Sequence, residues 1–341
     1  MKQALITGAN GFIGSYLTKY LAENGIYTTA FILKGTKCQL LEQIYPSMEN
    51  VSIIEGNILD EKMLEKLVKD KHYIVHLAGV IQGYIQEDYD RINVKGTENI
   101  LNACVNFNPI VERIILASSS AAAGFGTPEN PLRENSKANP IPNDFYGISK
   151  YKMENLANNY NGKLPITIVR PCSVLGPGNN VTLGSYQLVK KRFKLQFLGP
   201  KRPISYIDVE DLVKGFYLCL IKQKAKGEVF YFCNDRITTL AELQEIASVT
   251  IFNRKYGKLI GIPLTKFMFR VGAILMEGLY KIQKKQAPFI NQGKVLGVFA
   301  PGQVASSEKA KKLLEWKTSF SITETVYREG NWFIEQGWME N

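Results

Sequence analysis

Histidine is the scarcest reactive residue in this chain: His72 and His76 are the only two among 341 residues. Cysteine is sparse as well. Cys38, Cys104, Cys172, Cys219 and Cys233 are odd in number, widely spread and without a C-x-x-C pair. That pattern excludes a cysteine-rich zinc site and a disulfide framework, so no metal is expected, and free thiols point to a reducing, cytoplasmic setting. No apolar run reaches the roughly 18 residues a membrane-spanning helix needs. The opening MKQALITGANGFIG has no apolar core followed by a cleavage pattern, so no secretory leader is expected in it. Acid is also short: 31 Asp and Glu face 42 Lys and Arg, leaving a net charge of +11. Such an excess suits nucleic acid, anionic lipid or a phosphorylated cofactor.

The cations concentrate in two places. One is KKRFKLQFLGPKR (190–202). The other runs from 258 to 294, where Lys258, Lys266, Arg270, Lys281, Lys284, Lys285 and Lys294 face Glu277 alone. Taken singly, each cluster reads as a solvated face, and no nucleic-acid partner is expected.

What is present is a regular alternation. QALITG (3–8), IYTTAFIL (26–33), VSIIEG, YIVHLAG, RIILASSS and ITIVRP (166–171) are short, apolar and β-branched. Between them lie helical stretches at 12–25, 60–70 and 89–105, and one beginning near Tyr146. Apolar strands separated by helices predict an α/β fold, a doubly wound parallel sheet of Rossmann type with a ligand crevice at its carboxyl edge. After Pro171 the rhythm changes, and a smaller C-terminal substrate-binding region is expected. The expected division is a dinucleotide-binding domain at 1–170, with segments near 204–233 returning to it, and a substrate region at 171–203 and 234–341.

Directly after the first strand stands Thr7-Gly8-Ala9-Asn10-Gly11-Phe12-Ile13-Gly14, with glycines at G-x-x-G-x-x-G spacing. Between a strand and an amphipathic helix, this pattern lets the backbone approach a pyrophosphate while the helix N-terminus presents free N–H groups to it. A carboxylate closing the second strand would select NAD, but residues 30–37 read AFILKGTK, with no acid. Lys34 and Lys37 can hold a 2′-phosphate, so NADP is favoured over NAD.

DFYGISKYKME (144–154) sets Tyr146 and Lys150 four residues apart on one helical face. At ~5 Å and an effective dielectric of ~20, one ammonium stabilises a phenolate by roughly 3 kcal/mol, about two pKa units. Ser118-Ser119-Ser120 ends a strand at the same carboxyl edge.

In sequence order these blocks resemble the extended short-chain dehydrogenase/reductase superfamily, the NAD-dependent epimerase/dehydratase family. TGANGFIG is similar to its glycine loop. HLAG (76–79), NVKGTENIL (93–101), SSS with AAAG, YGISK, RPCSVLGPG, SYIDVEDLV and SSEKAKKLLEW (306–316) are similar to its later segments. The resemblance implies Tyr146 as acid/base, Lys150 as its partner, and Ser119 as the hydroxyl holding the substrate oxygen, with Ser118 the runner-up. It also implies coenzyme contacts from Gly8, Asn10, Gly11, Phe12, Ile13, Gly14, Asn57, Ile58, Leu77, Ala78, Gly79, Asn93, Tyr146, Lys150 and Pro171.

There are departures. Asn57 stands where an aspartate is common, and Ala123 where epimerases carry tyrosine. No Thr-carboxylate pair stands in the serine block, which demotes dehydration. Cys172 reads as packing near the nicotinamide, His76 as core and His72 as surface.

Residues 263–283, PLTKFMFRVGAILMEGLYKIQ, place Phe267, Val271, Ile274, Leu275 and Ile282 at helical spacings, interrupted by cations. Core helix, pocket lid and contact with an anionic membrane surface all fit. This segment makes the steroid dehydrogenase and dihydroflavonol reductase-like branch the nearer resemblance. The expected function is NAD(P)-dependent hydride transfer to or from an apolar or mixed ketone or secondary alcohol. The alternatives are a nucleotide-sugar 4-epimerase with bound NAD, for which the basic 190–202 stretch would hold a diphosphate, and a non-catalytic coenzyme-binding regulatory or assembly subunit. A small-molecule substrate is the expected partner, and a homodimer is left open.

Overall fold

The computed structural model describes residues 1–288, 291 and 295–340; Lys294 of the second basic cluster lies outside them. Seven strands form the main sheet: β1 (Gln3–Thr7), β2 (Tyr27–Leu33), β3 (Val51–Gly56), β4 (Tyr73–His76), β5 (Arg113–Ala117), β6 (Ile166–Pro171) and β7 (Val229–Phe232). Their order is β7-β6-β5-β4-β1-β2-β3, every pairing parallel. The order reverses between β1 and β4, and a crevice opens at such a switch point.

The apolar strand runs have a physical reason, since each strand supplies both layers. Ala4, Ile6, Val75 and Ile115 pack on one face with Leu17 and Leu21 of α1 (Phe12–Glu23). Leu5, Ile74, Ile114 and Leu116 pack on the other with Ile100 and Leu101 of α2 (Lys95–Phe107) and Met153 of α3 (Phe145–Asn158). Phe216 of α4 (Val209–Ile221) joins the first layer, together with Phe230, Phe232 and the fully buried Trp316. Trp316 Nε1 donates to the Asp211 carbonyl at 2.9 Å, tying the C-terminal segment to α4.

Beyond β6 the chain builds smaller units. Strands Ser173–Leu175, Ile204–Asp208 and Ile237–Thr238 form one sheet, and Phe193–Phe197 pairs in parallel with Ile260–Leu264. α5 (Lys266–Ile282) follows, its N-terminus capped by Thr265, and α6 (Ile322–Glu335) packs on a third apolar cluster. Only Ala273 and Glu277 of α5 are buried. The core reading of its apolar stripe therefore fails: Phe267 is 76 % exposed, Leu275 69 % and Ile282 81 %. No described helix is long and apolar enough to cross a membrane.

Candidate functional site

The glycine loop closes over the switch point. Gly8 adopts φ +70°, and a Cβ there would come within 2.8 Å of the Ala78 nitrogen, while one on Gly14 would overlap the Gly8 carbonyl. The loop therefore seats the start of α1 against the end of β4. Gly11 caps α1, and no acid stands in the first turn to neutralise its positive end. Asn10 donates from Nδ2 to Thr36 Oγ1 at 2.9 Å and to the Lys37 carbonyl at 3.2 Å, binding this loop to the turn after β2.

On that turn Lys34 and Lys37 are exposed. A carboxylate stands there after all: Glu55, near the end of β3, accepts from the Gly35 N–H at 2.9 Å. Asn57 is exposed, and its Oδ1 accepts from the Leu59 N–H at 2.9 Å. Ile58, expected at the coenzyme, is buried against Gly96 of α2, supporting the crevice from beneath. Phe12, Ile13 and Leu77 are partly buried against the first core layer, and Pro171 ends β6 buried beside Phe232.

After β4, Ala78 N–H donates to Thr7 Oγ1 at 3.1 Å. His76 bridges Thr7 and Thr97 through its two ring nitrogens, and burial pushes its pKa down to about 3, so it stays neutral as a core residue. His72, read as surface, is half-buried and accepts from the Gln3 N–H. Asn93, expected at the coenzyme, is engaged by the protein itself. Its Oδ1 accepts from Val80 N–H at 2.8 Å, and its Nδ2 donates to the Val80 carbonyl and to Ser149 Oγ. Ser149 in turn donates to the Tyr146 carbonyl at 2.8 Å. Asn93 thus ties the segment after β4 to α3.

α3 brings Tyr146 and Lys150 together as the spacing requires. The Ser119 side chain neighbours the Tyr146 phenol and acts to lower its pKa. Ser118 Oγ is buried without a hydrogen-bond partner among the described residues, which favours Ser119 of the two. Lys150 Nζ donates to the Ala117 carbonyl at 2.7 Å and lies 6.0 Å from the Tyr146 ring centroid. A Cβ on Gly79 would stand 3.5 Å from that ammonium, so the HLAG turn walls it in.

Burial pushes Tyr146 up to about 12, with Ser119 acting in the opposite direction. It pushes Lys150 down to about 8, opposed by Glu154. The expected lowering of the phenol is therefore not found. Removing a phenolate from water is the largest influence on Tyr146, and the Lys150 ammonium is turned to the Ala117 carbonyl.

Glu154, one turn beyond Lys150, forms a buried bidentate pair with Arg170 of β6, at 2.8 and 2.6 Å. Arg170 also donates to Tyr231 Oη of β7 at 2.8 Å. Sequence reasoning missed this clamp, which fastens α3 to two strands. Cys172 is buried, its thiol raised by Cys233 and by burial.

Of the 190–202 cations, Lys194 and Arg202 are engaged within the chain. Lys194 pairs with Glu245 at 2.6 Å, and Arg202 stacks on Phe299 at 4.7 Å and donates to the Pro200 and Leu198 carbonyls.

The model of the NAD dependent epimerase/dehydratase family matches residues 4–232. Among curated proteins, the ceramide reductase of Caulobacter vibrioides is 27 % identical over 243 residues, 71 % of this chain and 64 % of that protein. The UDP-N-acetyl-alpha-D-glucosaminuronate decarboxylase of Bacillus cytotoxicus is 27 % identical over 336 residues, covering 92 % of this chain and 97 % of that protein. Among solved structures, the UDP-glucuronic acid 4-epimerase of Bacillus cereus in complex with NAD superposes with a TM-score of 0.77 at 20 % identity. That match covers 99 % of this chain and all of the other.

Proposed function

The chain belongs to the NAD dependent epimerase/dehydratase family, and from that premise we propose that it is an oxidoreductase moving a hydride between a nicotinamide and a carbon that bears a hydroxyl or carbonyl. One observation carries the reading: Tyr146, its phenol beside Ser119, has the buried Lys150 ammonium 6.0 Å from its ring.

Bound NAD(P) supplies the hydride acceptor or donor. Gly8, Asn10, Gly11, Phe12, Ile13 and Gly14 would hold its pyrophosphate, with Asn57 toward the adenine. Ala78, Gly79, Lys150 and Pro171 would border its nicotinamide end. Tyr146 gives or takes the proton of the substrate oxygen, a role worth about 10²–10⁴-fold. Ser119 hydrogen-bonds that oxygen in both states. Lys150 is the cationic partner beside the phenol, and the Ala117 carbonyl, Asn93 through Ser149, and the Glu154–Arg170 clamp hold the geometry.

For the coenzyme, Glu55 and the NAD-bound Bacillus cereus epimerase support NAD. Lys34 and Lys37 support NADP, as the sequence suggested. Parallel titration with NADH and NADPH decides, and Glu55→Gln shifts the ratio toward NADPH if that carboxylate faces the ribose.

For the substrate, the comparisons lean toward a nucleotide sugar. The decarboxylase and the epimerase both act on UDP-sugars by their names, and both align over more than nine-tenths of this chain. An apolar ketone or alcohol keeps the support of the ceramide reductase, of Ala123, and of a 190–202 stretch whose Lys194 and Arg202 are engaged internally.

The test is turnover of UDP-sugars and of long-chain ketones by the wild type and Tyr146→Phe. The expected result is a loss of about 10²–10⁴-fold on one class with coenzyme affinity retained. Turnover that survives Tyr146→Phe removes the mechanism. Tight coenzyme binding with no turnover on either class supports the regulatory-subunit reading instead.

A further inference from the structure

We propose that α5 is a docking surface for an anionic lipid bilayer, an inference that stands apart from the chemistry above and needs no substrate to test. An ordinary surface helix turns its apolar stripe inward. α5 does the reverse. Its inward side is Ala273, Glu277 and the part-buried Phe269, which packs on Phe197 and Phe299, while Phe267, Val271, Ile274, Leu275, Leu279 and Ile282 are exposed at between 38 and 81 %. Phe267, Val271, Ile274, Leu275 and Ile282 recur at intervals of three, four and seven, one continuous face of a helix about 25 Å long. Ile260, 61 % exposed at the start of the preceding strand, adds a further apolar residue close by in the chain.

The charges around this face choose its occupant. Lys266, Arg270, Lys281, Lys284 and Lys285 are exposed on or just after the helix, and the one acid of the segment, Glu277, is buried. A two-fold pairing with a second copy would set these cations against themselves, which is unfavourable. A negatively charged headgroup layer meets them with opposite charge while the apolar face sinks to the acyl boundary. The surface is also joined to the catalytic helix. Tyr84 Oη donates to the Lys285 carbonyl at 3.0 Å, Lys281 Nζ lies 4.9 Å from the Tyr84 ring, and Gln86, two residues on, donates to the Phe145 carbonyl.

The experiment is co-sedimentation of the purified full chain with phosphatidylcholine vesicles, with and without phosphatidylglycerol, at low and raised salt. Binding is expected only with phosphatidylglycerol and weakens with salt. Arg270→Glu and Lys281→Glu each weaken it by about fivefold or more, and Leu275→Asp by about tenfold or more. NADH titration is unchanged in Leu275→Asp, showing that the variant is folded and keeping this test separate from the oxidoreductase reading. Absence of binding to anionic vesicles at low salt overturns the proposal, as does equal binding by Leu275→Asp. A dimer in light scattering that Leu275→Asp splits also overturns it and assigns the face to a second copy.

Discussion

The surroundings of Tyr146 and the helix Lys266–Ile282 break one rule in opposite directions. At the sheet edge the chain buries Lys150, Glu154 and Arg170, charged groups that water would hold more cheaply. On α5 it leaves Leu275 and Ile282 in water, although a core could take them. Both choices oppose folding, and both therefore mark places where stability yields to something else. The difference between them lies in how each is compensated. The buried charges are matched within the chain: Glu154 to Arg170, Arg170 to Tyr231, Lys150 to the Ala117 carbonyl. The exposed apolar face has no such match among the described residues of its own chain. An internally satisfied inversion points to chemistry, and an unsatisfied one points outward to a surface.

The sharpest way to break the comparison is at the clamp. Arg170→Met leaves Glu154 charged and buried without its partner, at a cost of about 3–5 kcal/mol in urea unfolding. Glu154→Leu combined with Arg170→Leu recovers most of that loss, because the uncompensated charge is gone. If Arg170→Met costs under about 1 kcal/mol, the pair is hydrated in solution and the corner is not the buried network described here.

Next in size is the pH response of Lys150. Burial lowers it to about 8, so the ammonium is largely charged below that pH and neutral above it. Coenzyme affinity that draws on this charge should hold level below about pH 8 and fall as pH rises beyond it. In Lys150→Arg the charge persists and the fall disappears. A wild-type affinity level through pH 9 in fluorescence titration separates the ammonium from coenzyme binding. The same shift bears on stability. A lysine bound less tightly to its proton when folded costs stability in full below about pH 8 and progressively less as pH rises toward its ordinary 10.5.

How much of this was legible in the sequence divides along the same line. Local signals carried the fold: apolar runs bounded by turns foretold the parallel sheet, and glycine spacing foretold the loop over the switch point. Helical periodicity placed Tyr146 and Lys150 on one face. Signals that need a partner from elsewhere in the chain were silent. Glu55 meets Gly35 only because β2 and β3 pair in a register that sets Ile32 opposite Glu55. Arg170 and Glu154 are sixteen residues apart and meet through packing. Asn93 belonged to a motif, but its partners Val80 and Ser149 lie in other segments. Periodicity also located the stripe of α5 without telling whether anything covers it. That is why core, lid and membrane contact stood open together.

A smaller effect is expected in the glycine loop. Gly14→Ala places a Cβ onto the Gly8 carbonyl, so α1 must move away from the loop. Overpacking of this kind costs about 1–3 kcal/mol, and coenzyme affinity should drop with it. Unchanged affinity and melting would mean that α1 slides freely, and that the loop is not held by the contact with β4.

The smallest expected effect is the most telling for α5. Leu275→Glu should change unfolding free energy by no more than about 0.5 kcal/mol, because the side chain is in water before and after folding. Glutamate is as good a helix former as leucine, so propensity does not intrude. The contrast is Leu212→Ala on α4, a side chain with no exposed surface, whose loss should cost about 2–5 kcal/mol. The two measurements in one urea series ask whether a leucine on α5 contributes to the fold at all. A cost above about 2 kcal/mol for Leu275→Glu means the residue is covered in solution by its own chain. The opposition between the two regions would then vanish, since the inversion on α5 would be satisfied internally as the one around Tyr146 is. A cost near zero, beside a large one at Leu212, leaves the apolar face of α5 without a role in folding and therefore free to be read as a contact surface.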